Sequence, residues 1–185
     1  MQKARRATNA RDEILDAAQR VAMRDGAGHV TIDSVAREAQ VSKGGVLYHF
    51  PSKEKMLKAM LERLIETMRP RIEAFREEHA GSPNRTLRAM IQASQFKNDI
   101  DPQISMAIMA AAAQNPDLLE PVRDEMRLRF EQIRAEGCDM PTALLLWAAI
   151  DGLMFNGLFK TLPISEAEHQ ALLEKLDTLA QKLCY

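Results

Sequence analysis

The chain has 185 residues, with 25 Lys and Arg against 26 Asp and Glu, a net charge of −1, and 46% hydrophobic residues. That length admits one substantial core, or a small domain joined to a larger one. The net charge argues against a nucleic-acid binder only until the chain is divided, because residues 1–60 carry a net +4 and residues 61–185 a net −5. Cys138 and Cys184 stand far apart with no C-x-x-C spacing, so no metal site and no cofactor is expected. The opening MQKARRATNARDE is a short basic arm without the apolar segment of a secretory signal, which makes a reducing cytoplasm the expected compartment.

Helix-favouring residues dominate and β-branched runs are absent, so the expected fold is all-α with about nine helices. A first helix is expected from about Arg11 to Asp25, with Ile14, Leu15, Ala18, Val21 and Ala22 on one face and Gly26 and Gly28 ending it. Thr31 starts a second, carried by Ile32, Val35, Ala36 and Ala39, and a tight turn follows at Gln40 and Val41. Ser42 starts a third, very short helix holding Lys43, Gly44, Gly45, Val46, Leu47 and Tyr48. That order reads as a helix-turn-helix over about residues 31–50. Ser52 and Lys53 begin a long helix through Met56, Leu57, Met60, Leu61, Leu64, Ile65 and Met68, with a kink or break at Pro70. Past a loop at Gly81, Ser82 and Pro83, helices are expected near Arg85–Lys97, Ile104–Ala113, Pro116–Glu136, Pro141–Thr161 and Ser165–Leu183.

Met140–Phe159 is apolar over a length that spans a bilayer. Asp151 near its centre would cost about 2.5–3.5 kcal/mol there, and no basic cluster flanks it, so a helix buried in a water-soluble assembly is the expectation and no membrane contact.

The third helix carries the chemistry. Two glycines cost roughly 1 kcal/mol each in a helix relative to alanine, so close approach of the backbone to another surface is the better explanation for Gly44 and Gly45. A DNA major groove is such a surface. Lys43 suits guanine O6 and N7, or else is a solvated surface lysine. Val46 either meets a thymine methyl or faces inward. Thr31 and Ser42 are expected N-caps.

The run VSKGGVLYHFPSKEKML resembles the signature of the TetR family of bacterial transcription regulators, and the resemblance extends over residues 9–57. It implies phosphate contacts by Thr31, Tyr48, His49 and Lys53. Leu47 departs from the commoner pattern, standing where the first residue of an aromatic pair often lies, which leaves that role to Tyr48 and His49. Lys3, Arg5 and Arg6 would add a contact from the basic arm. The DNA-binding set is therefore Thr31, Ser42, Lys43, Gly44, Gly45, Val46, Tyr48, His49 and Lys53.

So few base contacts per subunit call for a two-fold dimer reading a palindromic operator, with recognition helices about 34–36 Å apart. The last two helices are expected to form the homodimer interface through Gly152, Asn156, Gly157, Leu172, Leu176 and Leu179. The other C-terminal helices would enclose a small-molecule effector, apolar or cationic, against Met90, Phe96, Met106, Met109, Trp147, Asp151 and Phe155, although plain core packing explains the apolar ones equally. Asp151 has three readings: an ion pair with Arg129 or Arg88, a polar contact across the dimer, or a contact to a cationic ligand. Residues 8–68 are thus expected to form the DNA-binding domain and residues 69–185 an effector-binding and dimerisation domain.

The expected activity is that of a repressor binding double-stranded DNA and released by its effector. An activator of the same fold, or a helical scaffold without DNA binding, are the alternatives. An enzyme is not expected, since His29, His49, His79 and His169 are scattered singly and no nucleophile-base arrangement occurs.

Overall fold

No glycine or proline precedes Gly26, and in the computed structural model the chain is helical from its second residue. The structure describes residues 2–95, 108–109, 112–113 and 115–183. The first helix, α1 (Gln2–Asp25), begins nine residues before the expected start, because the basic arm contains no residue that stops a helix. Gly26 ends it in the left-handed region at φ +83°, donating its amide to Ala22 O at 3.0 Å. A single 3-10 turn, Ala27–His29, leads to α2 (Ile32–Glu38), α3 (Lys43–His49) and α4 (Lys53–Glu78).

Helix α4 runs on through Pro70 to Glu78, so of the kink or break expected there the break does not occur. The proline removes one backbone donor, while its neighbours on both sides keep the helix going. Next come α5 (Arg85–Gln95), a 3-10 turn at Pro116–Leu119, α6 (Glu120–Ala135), α7 (Met140–Phe159) and α8 (Glu166–Gln181). The helix expected over Pro116–Glu136 therefore opens with a tighter turn, which Asn115 caps through its side chain. The expected helix Ile104–Ala113 and the loop at Asp101 and Pro102 lie largely outside the described residues. Among the described residues every regular element is helical.

The chain divides into two compact units, Met1–Ile65 with Asp99–Arg123 and Glu66–Asn98 with Asp124–Tyr185, and α4 passes from the first into the second. The first is built on Ile14, Leu15, Val21, Val30, Val35, Val46, Phe50, Met56 and Leu57, all essentially inaccessible to solvent. Ion pairs from Arg20 and Arg24 to Glu38 tie α1 to α2, and Arg63 reaches Asp16 to tie α4 to α1.

The second unit is built on Leu87, Ile91, Ile133, Ala143, Leu146, Ile150 and Leu173. It also buries charge. Arg129 is 1% exposed, and its guanidinium donates to Glu73 and to Glu125, each at 2.5 Å. Glu125 in turn accepts from Arg69, so α4 and α6 are joined by a chain of alternating charges. Asn84, in the left-handed region at φ +55°, is fully buried and donates to Ala180 O at 2.8 Å, fastening the start of α5 to the end of α8. Helix α8 opens with a capping box between Ser165 and Glu168.

Breaking the buried pair by Glu125→Ala leaves Arg129 with Glu73 as its one carboxylate among the described residues, beside Gln132, and should lower unfolding free energy by about 3 kcal/mol in urea titrations. Arg127→Ala, which removes an exposed pair with Asp124, should cost less than about 1 kcal/mol.

Candidate nucleic-acid interface

The interface starts from two caps. Thr31 accepts the amide of Ser34 at 3.1 Å, and Ser34 Oγ accepts the amide of Thr31 at 2.9 Å, so the first turn of α2 is closed on both sides. Ser42 accepts the amide of Gly45 at 3.0 Å and starts α3 in the same manner. Between them the chain reverses at Gln40, whose φ of +56° is left-handed. The amide of Val41 bonds Ala36 O and that of Gln40 bonds Arg37 O, the paired closure of a Schellman turn. Two seven-residue helices are thereby set at a fixed angle by local bonds alone.

Helical spacing then sorts the residues of α3. Val46 and Phe50, four apart, point into the core and are 0% and 2% exposed. This corrects the reading of Val46 as a base contact: its side chain is spent on packing. Gly44 and Tyr48 stand on the opposite side, Tyr48 82% exposed, while Lys43 in the first turn and Leu47 at the flank are exposed as well. Leu47 is thus the outward apolar side chain, a residue sequence reasoning passed over because it departs from the aromatic pattern. The His49 ring meets Tyr48 edge-on at 5.1 Å, which limits where the tyrosine can swing. His49 and Lys53 are half-buried, Lys53 as the first residue of α4. Thr31 is exposed, with its hydroxyl already engaged by Ser34. Arg11 lies over the Phe50 ring at 5.3 Å, bringing one more positive charge to this unit.

Sequence reading also missed Asp33. Its carboxylate oxygens both lie 3.0 Å from Lys43 Nζ, pairing the first turn of α2 with the first turn of α3. The ten-residue separation of Asp33 and Lys43 across a turn left no periodic signal to find it by. The side chains of Lys3, Arg5 and Arg6 lie outside the described residues.

Away from α2 and α3, the expected effector residues fall into different surroundings. Met90 and Trp147 belong to the core of the second unit, whereas Met109, Asp151 and Phe155 are exposed. Phe96 and Met106 lie outside the described residues. Asp151 pairs with neither suggested cation, since Arg129 holds Glu73 and Glu125 while Arg88 holds Asp177. Its contact is instead the indole of Trp147, one turn earlier on α7. Although Asp151 reaches solvent, apolar surroundings push its carboxyl above the ordinary carboxylate value, and the indole hydrogen bond only partly opposes this.

Among the expected dimer residues, Gly152, Gly157, Leu172 and Leu179 are exposed. Asn156 and Leu176 are not, and both are corrected. Asn156 accepts from Leu162 N and Thr161 Oγ1 to close the end of α7, and Leu176 packs in the core. The outer side of α7 is formed by Leu144, Leu145 and Phe155, with Leu145 70% exposed. Among the described residues no helix is long and apolar enough to cross a membrane.

Residues 14–60 match the family described as bacterial regulatory proteins, tetR family, and residues 84–181 match the tetracyclin repressor-like C-terminal domain. The nucleoid occlusion factor SlmA of Vibrio atlanticus (strain LGP32) is 28% identical over 132 residues, which cover 71% of this chain and 66% of that protein, just under two thirds of its length. A transcriptional regulator from Rhodococcus sp. Rha1 shares the fold with a TM-score of 0.71 at 25% identity, over 94% of this chain and 95% of that one. A regulator from Saccharomonospora viridis, solved in complex with choline, gives a TM-score of 0.71 at 23% identity, covering 91% of this chain and 95% of that one.

A β-carbon added at Gly44 would meet nothing closer than Ser42 Oγ at 3.8 Å, so Gly44→Ala has room. It should raise thermal stability by up to about 1 kcal/mol and still weaken DNA binding by about tenfold or more, which a melt and a binding titration would show together. Asp151→Asn tests the raised carboxyl. A raised folded value means that the charged form costs stability, a cost absent below the unfolded value near 4 and full once pH has passed the folded one. Asp151→Asn should therefore melt higher than wild type at neutral pH, with the gap closing as pH falls towards about 4.

Proposed function

Because this chain belongs to the TetR family of bacterial regulatory proteins, we propose that it is a DNA-binding transcriptional regulator acting as a homodimeric repressor, binding a palindromic operator and released by a small-molecule effector. The observation that carries the reading is α3 itself. A helix too short and too glycine-rich to be stable alone is capped, anchored by Val46 and Phe50, and leaves Lys43, Gly44 and Tyr48 outward. We read residues 8–68 as the DNA-binding domain and residues 69–185 as the effector-binding and dimerisation domain, working in the cytoplasm.

In this reading Lys43 and the glycine backbone meet base edges in the major groove, and Leu47 takes the apolar contact that Val46 cannot make. Tyr48, His49, Lys53 and Thr31 hold phosphates and set the register. One such helix reads too few bases for a specific site, so two must be spaced by a dimer. The outer side of α7 with Leu172 and Leu179 of α8 supports that role: four large apolar side chains plus Phe155 face solvent in the single chain. Gly152 and Gly157 would let a second helix approach closely.

The effector reading rests on the second unit. The Saccharomonospora viridis regulator holds choline, a cation, and Asp151 beside Trp147 supplies a carboxylate and an indole suited to one. An effector with higher affinity for the DNA-incompetent spacing shifts the population by that difference in affinity and no more. Helix α4, which starts at Lys53 beside α3 and ends at Glu78, is the element to transmit it. Activation in place of repression would follow from a different operator position and needs no change in the protein.

Fluorescence anisotropy with the duplex upstream of its own gene, across about 50 to 200 mM salt, tests the reading. Binding should be selective over a random duplex and fall by about 10³ or more if six phosphates are contacted. Weak binding equal for both duplexes would overturn it. Leu145→Glu should convert the dimer to a folded monomer by sedimentation and weaken operator binding. A dimer that persists in that variant would remove α7 from the interface.

A further inference from the structure

A carboxylate on a surface that meets phosphates needs a reason. Asp33 stands in the first turn of α2 and Lys43 in the first turn of α3, with Nζ 3.0 Å from both carboxylate oxygens. Both side chains are more than half exposed, at 59% for Lys43 and 64% for Asp33, so packing does not force the contact. An exposed ion pair of this kind contributes little to folding. Its electrostatic effect at the DNA face is larger, because non-specific affinity depends on how many phosphates are neutralised.

We propose that Asp33 is a brake on non-specific DNA binding, acting by holding Lys43. While the pair is closed, the cation at the head of α3 is neutralised and offers no net attraction to a passing phosphate. The pair opens where other acceptors replace the carboxylate, and the O6 and N7 atoms of guanine in the groove are such acceptors. Lys43 is thereby reserved for base edges, and discrimination rises because binding to every other duplex falls. The neighbouring acidic group, Glu38, cannot serve in this way because Arg20 and Arg24 hold it. Asp33 is a positioning residue in this scheme, and Lys43 makes the contact.

The proposal rests on the reading of α3 as the DNA-contacting helix, and one titration separates the two. A random-sequence duplex is titrated by anisotropy across about 50 to 200 mM salt with wild type, Asp33→Asn, Lys43→Gln and the double variant. Asp33→Asn should bind about three- to tenfold tighter at the low-salt end, with the slope of log K against log salt steeper by about one. In the Lys43→Gln background the same change should alter affinity by less than about twofold, and Asp33→Glu should behave as wild type. Partial unfolding would weaken binding, so a gain cannot arise from damage to the fold. An unchanged or weaker Asp33→Asn overturns the proposal, as does an equal gain in both backgrounds, which would assign the effect to charge alone. Wild type failing to bind the duplex at all would overturn the reading of α3 as well.

Discussion

A seven-residue helix with adjacent glycines cannot hold itself together, and the first unit is built to meet that constraint. Isolated helices shorter than about 12–15 residues are marginal in water even with good helix formers. Here the stabilisation comes from outside the helix. Ser42 satisfies the free amide of Gly45, the Schellman turn at Gln40 and Val41 fixes the angle to α2, and Val46 with Phe50 is buried against α1 and α4 side chains such as Leu15 and Met56. Each device works on the inner side or the ends of α3. The outer side is therefore free of structural duty, and Gly44 and Tyr48 are affordable there.

The two units solve different problems. In the first, apolar packing positions a positively charged surface, and exposed ion pairs such as Arg20–Glu38 and Arg63–Asp16 trim its excess charge. In the second, a buried guanidinium held by Glu73 and Glu125 joins α4 to α6. Such pairs add less to stability than apolar residues of the same volume would, yet they tolerate few alternative geometries, which suits helices that must keep one relative register. The outer side of α7 is left apolar, and the helix carries a single charged residue, Asp151, whose carboxyl is raised by its surroundings.

Much of α2 and α3 was legible because their signals are local. Caps, turn residues and the spacing of Val35, Ala36, Val46 and Phe50 lie within a few residues of one another, and the order TIDSVAREAQVSKGGVLYHF contains all of them. What escaped depends on contacts between elements. Whether Val46 faces a base or the core is decided by where α1 and α4 lie. The hold of Asp33 on Lys43 spans a turn, and the commitment of Arg129 to Glu73 spans 56 residues. Trp147, one turn away, is the hydrogen-bond partner of Asp151, while Arg88 and Arg129 hold other carboxylates. The start of α1 was misjudged for another reason: a basic arm weakens a helix without ending it when the flanking residues favour it.

The outward side of α3 as the DNA-contacting surface is tested most directly by backbone-amide NMR during titration with a short duplex. Shifts should concentrate at Lys43, Gly44, Gly45, Leu47, Tyr48, His49 and Lys53, with Thr31 at their edge, and leave Ile133, Ile150 and Leu173 in place. Shifts confined to α5 through α8, with α3 unmoved at saturation, would contradict it.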